Sequence, residues 1–394
     1  MHARTHFSYA AFYSSKFVLL GIQLPFFSGW LALQGISAPD IGLITGAALV
    51  ARLALGPLVA YWADGQSDER LPLRLVAFFF AASAVSLTVA PDKLLITAAA
   101  VIMLWSFGLL VPLADSAVIR ADRAGLANFG QARAIGSFAF LATTIAGGQA
   151  LTRFGIEASV KIMAAAGAAT LFIALILPRN HAPRPNKGRL SWRDARRLVS
   201  SPGFLVAILA SGLTQGAHAF YYAFSILDWT AIGYSPGVIG LLWATGVTAE
   251  ILLLTQMRAL GRRIRPDLLM AIGAAGAALR WALTAAQPPL GLLFAVQTLH
   301  ALSFAATYMG AIEFIDRAVP KHLANTAMTL NSTAGVGAIT GVATIAAGYV
   351  YAWQGADAAY FLMSAMSAIA CALAFFLSRL WKGGALFAAG AATS

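Results

Sequence analysis

Ser37-Ala38-Pro39-Asp40-Ile41-Gly42-Leu43 opens an apolar run that continues to residue 63, and Ser235-Pro236-Gly237-Val238-Ile239-Gly240-Leu241 opens a second one. The Ile-Gly-Leu triplets stand at 41–43 and 239–241, an offset of 198. The same offset lays Arg52 on Glu250 and Asp115 on Glu313. One triplet coincides easily by chance. Coincident charged residues, two of the four inside apolar runs, are harder to dismiss, so the chain reads as two repeated halves.

Outward from these two stretches, the rest of the chain divides the same way. A membrane span needs about 20 mostly apolar residues. Twelve such segments are expected, near 7–33, 39–63, 73–90, 94–119, 129–152, 157–178, 202–229, 236–258, 267–286, 289–316, 323–351 and 357–380. Pro39, Pro72, Pro91, Pro202, Pro236, Pro266, Pro288 and Pro289 all fall at their boundaries, where proline punctuates best. Hydrophobic residues make up 59% of the chain and charged residues 11%, too little charge to cover a soluble surface of this size. The ten-residue alternating strands of an outer-membrane barrel are missing, so every span must be a helix. The fold expected is an all-α polytopic membrane protein, with six helices in 1–178, a basic linker at 179–201 and six helices in 202–394.

The distribution of Lys and Arg sets the orientation. One side holds Arg4, Arg70, Arg74, Arg120, Arg123, Arg133, seven in 179–201, four in 258–265, then Arg317, Lys321, Arg379 and Lys382, which is 21. The other side holds 3: Lys93, Arg153 and Lys161. Both termini are therefore expected in the cytoplasm, and the first run, continuing to Leu33 and holding Lys16, is too long for a cleaved signal. Trp192, Ala195, Leu198 and Val199 share one face of a short linker helix, begun by a Ser191 to Asp194 capping spacing, that would either lie on the inner leaflet or serve only as a positive-inside linker. The net charge of +12 does not indicate nucleic acid, because no basic run carries the interleaved aromatics of a reading surface. Cys371 is a lone cysteine in the last span, with a packing role. No nucleotide-binding loop, metal-ligand spacing or nucleophile constellation is present, so the chain does not read as an enzyme, and neither cofactor nor metal is expected.

What remains is a set of charges where lipid should be: Lys16, Arg52, Asp115, Arg133, Glu250 and Arg280, with His218 and His300. Each costs at least about 2.5–3.5 kcal/mol near the bilayer centre, so such residues face a cavity, a partner or an ion path. Repeated halves with substrate held near the midplane are the common plan of secondary transporters.

Six plus six spans, a central basic loop and both ends inside resemble the major facilitator superfamily. Ala60-Tyr61-Trp62-Ala63-Asp64, followed by Arg70 and Arg74, resembles a loosened form of its hallmark loop. That resemblance implies a conformational latch at Asp64, Arg70 and Arg74. Within the superfamily the chain is similar to the oligosaccharide/proton symporters and their phenylpropionate-transporter relatives. Gly21-Ile22-Gln23-Leu24-Pro25-Phe26-Phe27 with Trp30 resembles the first span of lactose permease. Pro112-Leu113-Ala114-Asp115 and Phe129-Gly130-Gln131-Ala132-Arg133 resemble its acid and arginine at the sugar site. Glu250, Arg280 and Thr298-Leu299-His300 resemble its proton-coupling residues.

The departures narrow the expectation. Phe140 stands where the permease has the tryptophan that stacks on galactose, Ser303 replaces a key acid, Gln297 replaces a lysine, and Lys16 replaces an uncharged aromatic. A phenyl ring can pack an aromatic substrate but offers no indole donor. The resemblance, so modified, implies proton-coupled symport of a small aromatic acid across the bacterial inner membrane by a monomer, powered by the proton gradient. Lys16, Arg52, Asp115, Arg133 and Phe140 would serve the substrate, with Arg133 as a two-pronged carboxylate binder. Glu250, Arg280, His300 and His218 would serve the proton. A structural pair at Asp115 and Arg133, a static Glu250–Arg280 bridge, a sugar or nucleoside substrate, and a non-transporting sensor on the same fold remain open from the sequence.

Overall fold

The structure is a computed structural model that describes residues 2–90, 92–180, 192–260 and 263–386. Among these residues all regular structure is helical. The helices are α1 (His2–Leu33), α2 (Ala38–Asp64), α3 (Arg70–Leu87), α4 (Lys93–Arg123), α5 (Phe129–Phe154) and α6 (Ala158–Ile176), then a short α7 (Trp192–Val199). They continue as α8 (Pro202–Gly216), α9 (Ala219–Ala231), α10 (Pro236–Leu260), α11 (Pro266–Ala285), α12 (Leu290–Thr298), α13 (Thr307–Ala318), α14 (Ala324–Leu330) and α15 (Ala338–Leu380). Eleven continuous helical segments are long and apolar enough to cross a membrane. The last of them, Lys321–Leu380, is broken at Gly355, whose φ of 85° only glycine adopts without strain, so it supplies two spans and the total is twelve.

Local chemistry explains the helix starts. The Ser37 hydroxyl accepts from the Asp40 amide with Pro39 beside it, Asp92 caps α4 through Leu95, and Asn128 caps α5 through Gln131. The Ser-Pro openings in the repeated stretches are thus helix N-termini.

The chain forms two compact units. The first comprises Met1–Asn186 with Tyr222–Ala244. In it α1 packs on α5 and α6, α3 packs on α4 and α6, and α2 lies against α4. Small residues let these helices approach closely, as lipid-embedded packing requires. The Thr144 hydroxyl donates to the Gly21 carbonyl at 3.0 Å, and a side chain at Gly21 would meet the Phe140 carbonyl at 2.8 Å. The start of α10 joins this unit by the same device: Gly148 faces the Pro236 carbonyl, Gly240 faces the Thr144 carbonyl, and the Gly237 amide donates to Thr152 Oγ1 at 2.8 Å.

The second unit comprises Lys187–Tyr221 with Thr245–Ser394. Here α8 packs on the first part of α15 and α11 on its last part, with Gly212 against the Gly335 carbonyl and Ser364 donating to the Ala278 carbonyl. Two π-helical turns, Ala301–Ala306 and Asn331–Gly337, interrupt the tenth and eleventh spans. The linker helix α7 differs from the expectation that it lies on the leaflet. Its Ala195 and Leu198 are buried, and Leu198 joins Phe204, Leu323 and Trp381 in one apolar cluster of this unit. Its stripe is too narrow to anchor in lipid when an apolar protein surface is adjacent. The Ser191 capping residue lies outside the described residues.

Candidate functional site

In the first unit the acid on α4 pairs with the cation on α1. Asp115 forms an ion pair with Lys16, whose side chain is 4% exposed while that of Asp115 is 39% exposed. The ammonium also sits 3.8 Å from the Tyr13 ring centroid and 5.2 Å from that of Phe17. Arg133, whose structural pairing with Asp115 the sequence left open, forms no ion pair with it or with any other carboxylate of the described residues. Its guanidinium instead lies 5.1 Å from the Phe17 ring centroid. Phe17 is held there by Gly136, where a side chain would meet the ring at 2.5 Å. The ring beneath Arg133 is therefore Phe17; Phe140 is a buried residue of α5 whose carbonyl faces Gly21 of α1. Arg52 sits elsewhere, its stem crossing Gly108 of α4.

The hallmark-loop residues occupy one end of this unit. Asp64 ends α2. Arg70 forks onto Asp68 with contacts of 2.8–3.1 Å and donates to the Leu177 carbonyl, and Arg74 donates to the Ala174 and Leu175 carbonyls at the end of α6. These cations sit where the last carbonyls of a helix attract them. The hydrogen bonds from Arg70 hold the Asp68 carboxyl well below the usual carboxylate range. Beside them lies a buried cluster that no motif announced. Glu69 accepts from Arg120 Nε at 3.1 Å and from the Tyr9 hydroxyl at 3.3 Å, and Tyr9 also reaches the Pro178 carbonyl. Three residues from three helices or loops share it, so sequence spacing carries no signal for it.

The second unit gathers a different set. Arg280 is completely buried on α11. It donates to His300 Nδ1 at 2.9 Å, to Gln297 Oε1 at 2.7 Å and, more weakly, to Ser303 Oγ at 3.4 Å. The guanidinium also stacks on Trp281 and Tyr221, 4.3 and 4.7 Å from their ring centroids. His300 Nε2 lies 3.3 Å from the Glu250 carboxylate. His218 occupies the break between α8 and α9, with Nδ1 on the Thr214 and Gln215 carbonyls and Nε2 3.1 Å from Ser303 Oγ.

Arginine has no acceptor, and this fixes the polarity of the network. A contact from Arg280 to His300 Nδ1 requires that nitrogen to be the bare one, so Nε2 carries the hydrogen and donates it to Glu250. His218 Nδ1 faces carbonyls and must donate, which leaves Nε2 to accept the Ser303 hydroxyl hydrogen. All four residues singled out in this half thus fall in one chain of contacts. Ser303 and Gln297, noticed in the sequence only as departures, turn out to be its connectors. Asp228, a buried acid near the end of the seventh span, escaped the sequence reading because it stands beside aromatic residues at a helix end.

Twelve helical spans, paired halves and buried charges define a membrane transporter of the major facilitator type. The chain belongs to the MFS_1 like family, whose profile matches residues 6–362. Among known proteins it is similar to the "Probable 3-phenylpropionic acid transporter" of Escherichia coli (strain K12), 29% identical over 345 residues, covering 87% of this chain and 90% of that protein. It is 27% identical to the "Maltose permease" of Geobacillus stearothermophilus over 353 residues, 87% of each chain. In fold it is similar to the nucleoside transporter NupG, with a TM-score of 0.76, 18% identity and coverage of 96% of this chain and 99% of that one.

Proposed function

We propose that this transporter is a proton-coupled symporter of a small aromatic carboxylate in the bacterial inner membrane. The observation that carries the reading is Arg133. Its guanidinium lies over an aromatic ring with no carboxylate of the described residues against it, while Asp115 is engaged by Lys16. An unneutralised fork beside Phe17 and Tyr13 suits a ligand that brings its own carboxylate and its own ring. The similarity to the "Probable 3-phenylpropionic acid transporter" supports the same chemistry.

Glu250 is the proton carrier of this reading. Its carboxylate accepts from neutral His300, which Arg280 holds in one tautomer, so protonation of Glu250 weakens a bond that the rest of the network keeps in place. His218 and Ser303 anchor the far end of that network. The excess of Lys and Arg on one side supports cytoplasmic termini, and the asymmetry belongs to a protein inserted in the inner membrane. The protein acts as a monomer and needs no cofactor beyond the proton gradient.

A nucleoside or sugar substrate is the competing reading, favoured by the fold similarity to a nucleoside transporter and the sequence similarity to a maltose permease. The deciding experiment is uptake of labelled 3-phenylpropionate, uridine and maltose into proteoliposomes, with and without an inward proton gradient. Gradient-driven accumulation of the acid, lost in Arg133→Gln and uncoupled from the gradient in Glu250→Gln, is expected. Accumulation of uridine or maltose instead would reassign the pocket, and binding without accumulation of any of the three would mean a sensor.

A further inference from the structure

Arg52 has no role in the pocket just described, and its placement is unusual. It lies 14 residues after the start of α2 at Ala38 and 12 before its end at Asp64. At 1.5 Å per residue that is about 18–21 Å from either helix end, beyond the reach of a snorkelling arginine. Among the described residues it makes no hydrogen bond and no ion pair. An arginine at such depth is tolerated only toward a partner, a cavity or a path.

The fold builds a seat for it. The Arg52 stem crosses α4 at Gly108, where any side chain would meet Arg52 Cδ at 2.8 Å. Gly108 is seven residues from Asp115, so the two share a face of α4 within about 20° and stand about 10 Å apart along it. One turn from Gly108 on that face, Trp105 carries an indole N–H that is buried and lacks a hydrogen-bond partner among the described residues. Two kinds of donor, one charged, thus stand without acceptors on the Lys93 side of the Lys16–Asp115 pair. Donors in that condition at this depth call for an acceptor that arrives from outside.

We infer that Arg52, seated on Gly108 with Trp105 on the same face, is a second anion station of this transporter: it takes the carboxylate of the substrate before Arg133 does. The inference rests on the proposed function for the class of ligand and on the proposed orientation for the order of the stations. With the Lys93 end of α4 outside, an incoming acid meets Arg52 first and then moves about two helical turns along α4 to the level of Asp115, on the way to Arg133. The outer station exchanges its ligand quickly because it holds the carboxylate without the aromatic floor that Phe17 supplies at the inner one.

The test compares equilibrium binding of 3-phenylpropionate by calorimetry with its initial uptake into proteoliposomes, for the wild type, Arg52→Gln, Arg52→Lys, Gly108→Ala and Arg133→Gln. Arg52→Gln is expected to raise the KM of uptake about tenfold while equilibrium affinity stays within about twofold. Arg52→Lys restores most of the uptake, and Gly108→Ala, which displaces the stem without removing the charge, reproduces the Gln phenotype. Arg133→Gln loses equilibrium binding itself. Wild-type affinity with an unchanged uptake KM in both Arg52→Gln and Gly108→Ala would overturn the station and leave the proposed function standing. Loss of equilibrium binding in Arg52→Gln equal to that in Arg133→Gln would also overturn it, by making the two arginines one site. No binding of 3-phenylpropionate to the wild type would instead overturn the proposed function, and the station with it.

Discussion

The two units of this protein accommodate charge by opposite means, with Arg133 exposed and Arg52 half-buried in the first and Arg280 buried in the second. In the first, a lysine is neutralised by an aspartate and two arginines, Arg52 and Arg133, keep guanidinium groups with no carboxylate of the described residues against them. In the second, one arginine is held from within, its terminal nitrogens by an imidazole, an amide oxygen and a hydroxyl and its plane by two aromatic faces. A cation that lacks internal acceptors waits for an anion. A cation already coordinated by neutral groups sets the orientation of its neighbours. On the proposed function the two units therefore take up different tasks, one facing the ligand and one arranging a proton-bearing carboxylate.

Several substitutions would break or sharpen this contrast. The largest effect is expected at the Lys16–Asp115 pair of the first unit. Asp115→Asn strands the buried Lys16 ammonium, and thermal unfolding in detergent should show a loss on the order of 2–3 kcal/mol, below the range for a fully buried pair because Asp115 is 39% exposed. The double variant Lys16→Met with Asp115→Asn should recover most of that stability, since removing both charges also removes their desolvation cost. Equal loss in the double variant would mean that Lys16 is needed for more than its pair.

In the second unit the decisive comparison is His300→Gln against His300→Leu. Glutamine supplies one acceptor for Arg280 and one donor for Glu250, matching the polarity of the neutral imidazole. It should keep uptake within a few-fold of wild type, whereas leucine should cost about 1–3 kcal/mol in unfolding measurements by leaving buried polar groups unmet. If glutamine abolished gradient-driven uptake as fully as leucine, His300 would itself have to be a proton carrier.

A smaller effect is expected at Gly136. An alanine there pushes the Phe17 ring away from Arg133, so 3-phenylpropionate affinity should fall roughly three- to tenfold, as befits loss of about 1 kcal/mol of ring packing and cation–π contact. Unaltered affinity would remove Phe17 from the site.

The smallest effect concerns the exposed loop. Arg70 depresses the pKa of Asp68 below its ordinary value of 3.8, so the pair stabilises the fold at every pH above that value. That contribution is lost only as pH falls from about 4 through the lower folded pKa. Asp68→Asn should cost about 0.5 kcal/mol or less, because the pair is largely solvated, and should flatten acid unfolding only below about pH 4. A difference between the variant and wild type that grows between pH 5 and 7 would contradict the pairing.

Much of this was legible in the sequence, for identifiable reasons. Span number followed from apolar length, because lipid permits no other spanning geometry at this composition. The helix starts at Pro202, Pro236 and Pro266 followed from proline punctuation, which acts locally. The residues that carry charge into the membrane could be named one by one, since each is costly wherever it sits. Partnership was not legible. Asp115 and Arg133 are 18 residues apart and matched a familiar spacing, yet Lys16, 99 residues from Asp115, took the acid, because α1 passes closer to that face of α4. Glu250 and His300 met across 50 residues, and Ser303 and Gln297, which looked like losses, became connectors of Arg280. The sequence by itself determined which residues must be spared from lipid, because transfer energy depends on residue type and local length. Only the tertiary structure decided which of those charges are paired and which have no carboxylate of the described residues against them, because ion pairs depend on distances between helices that no local pattern encodes.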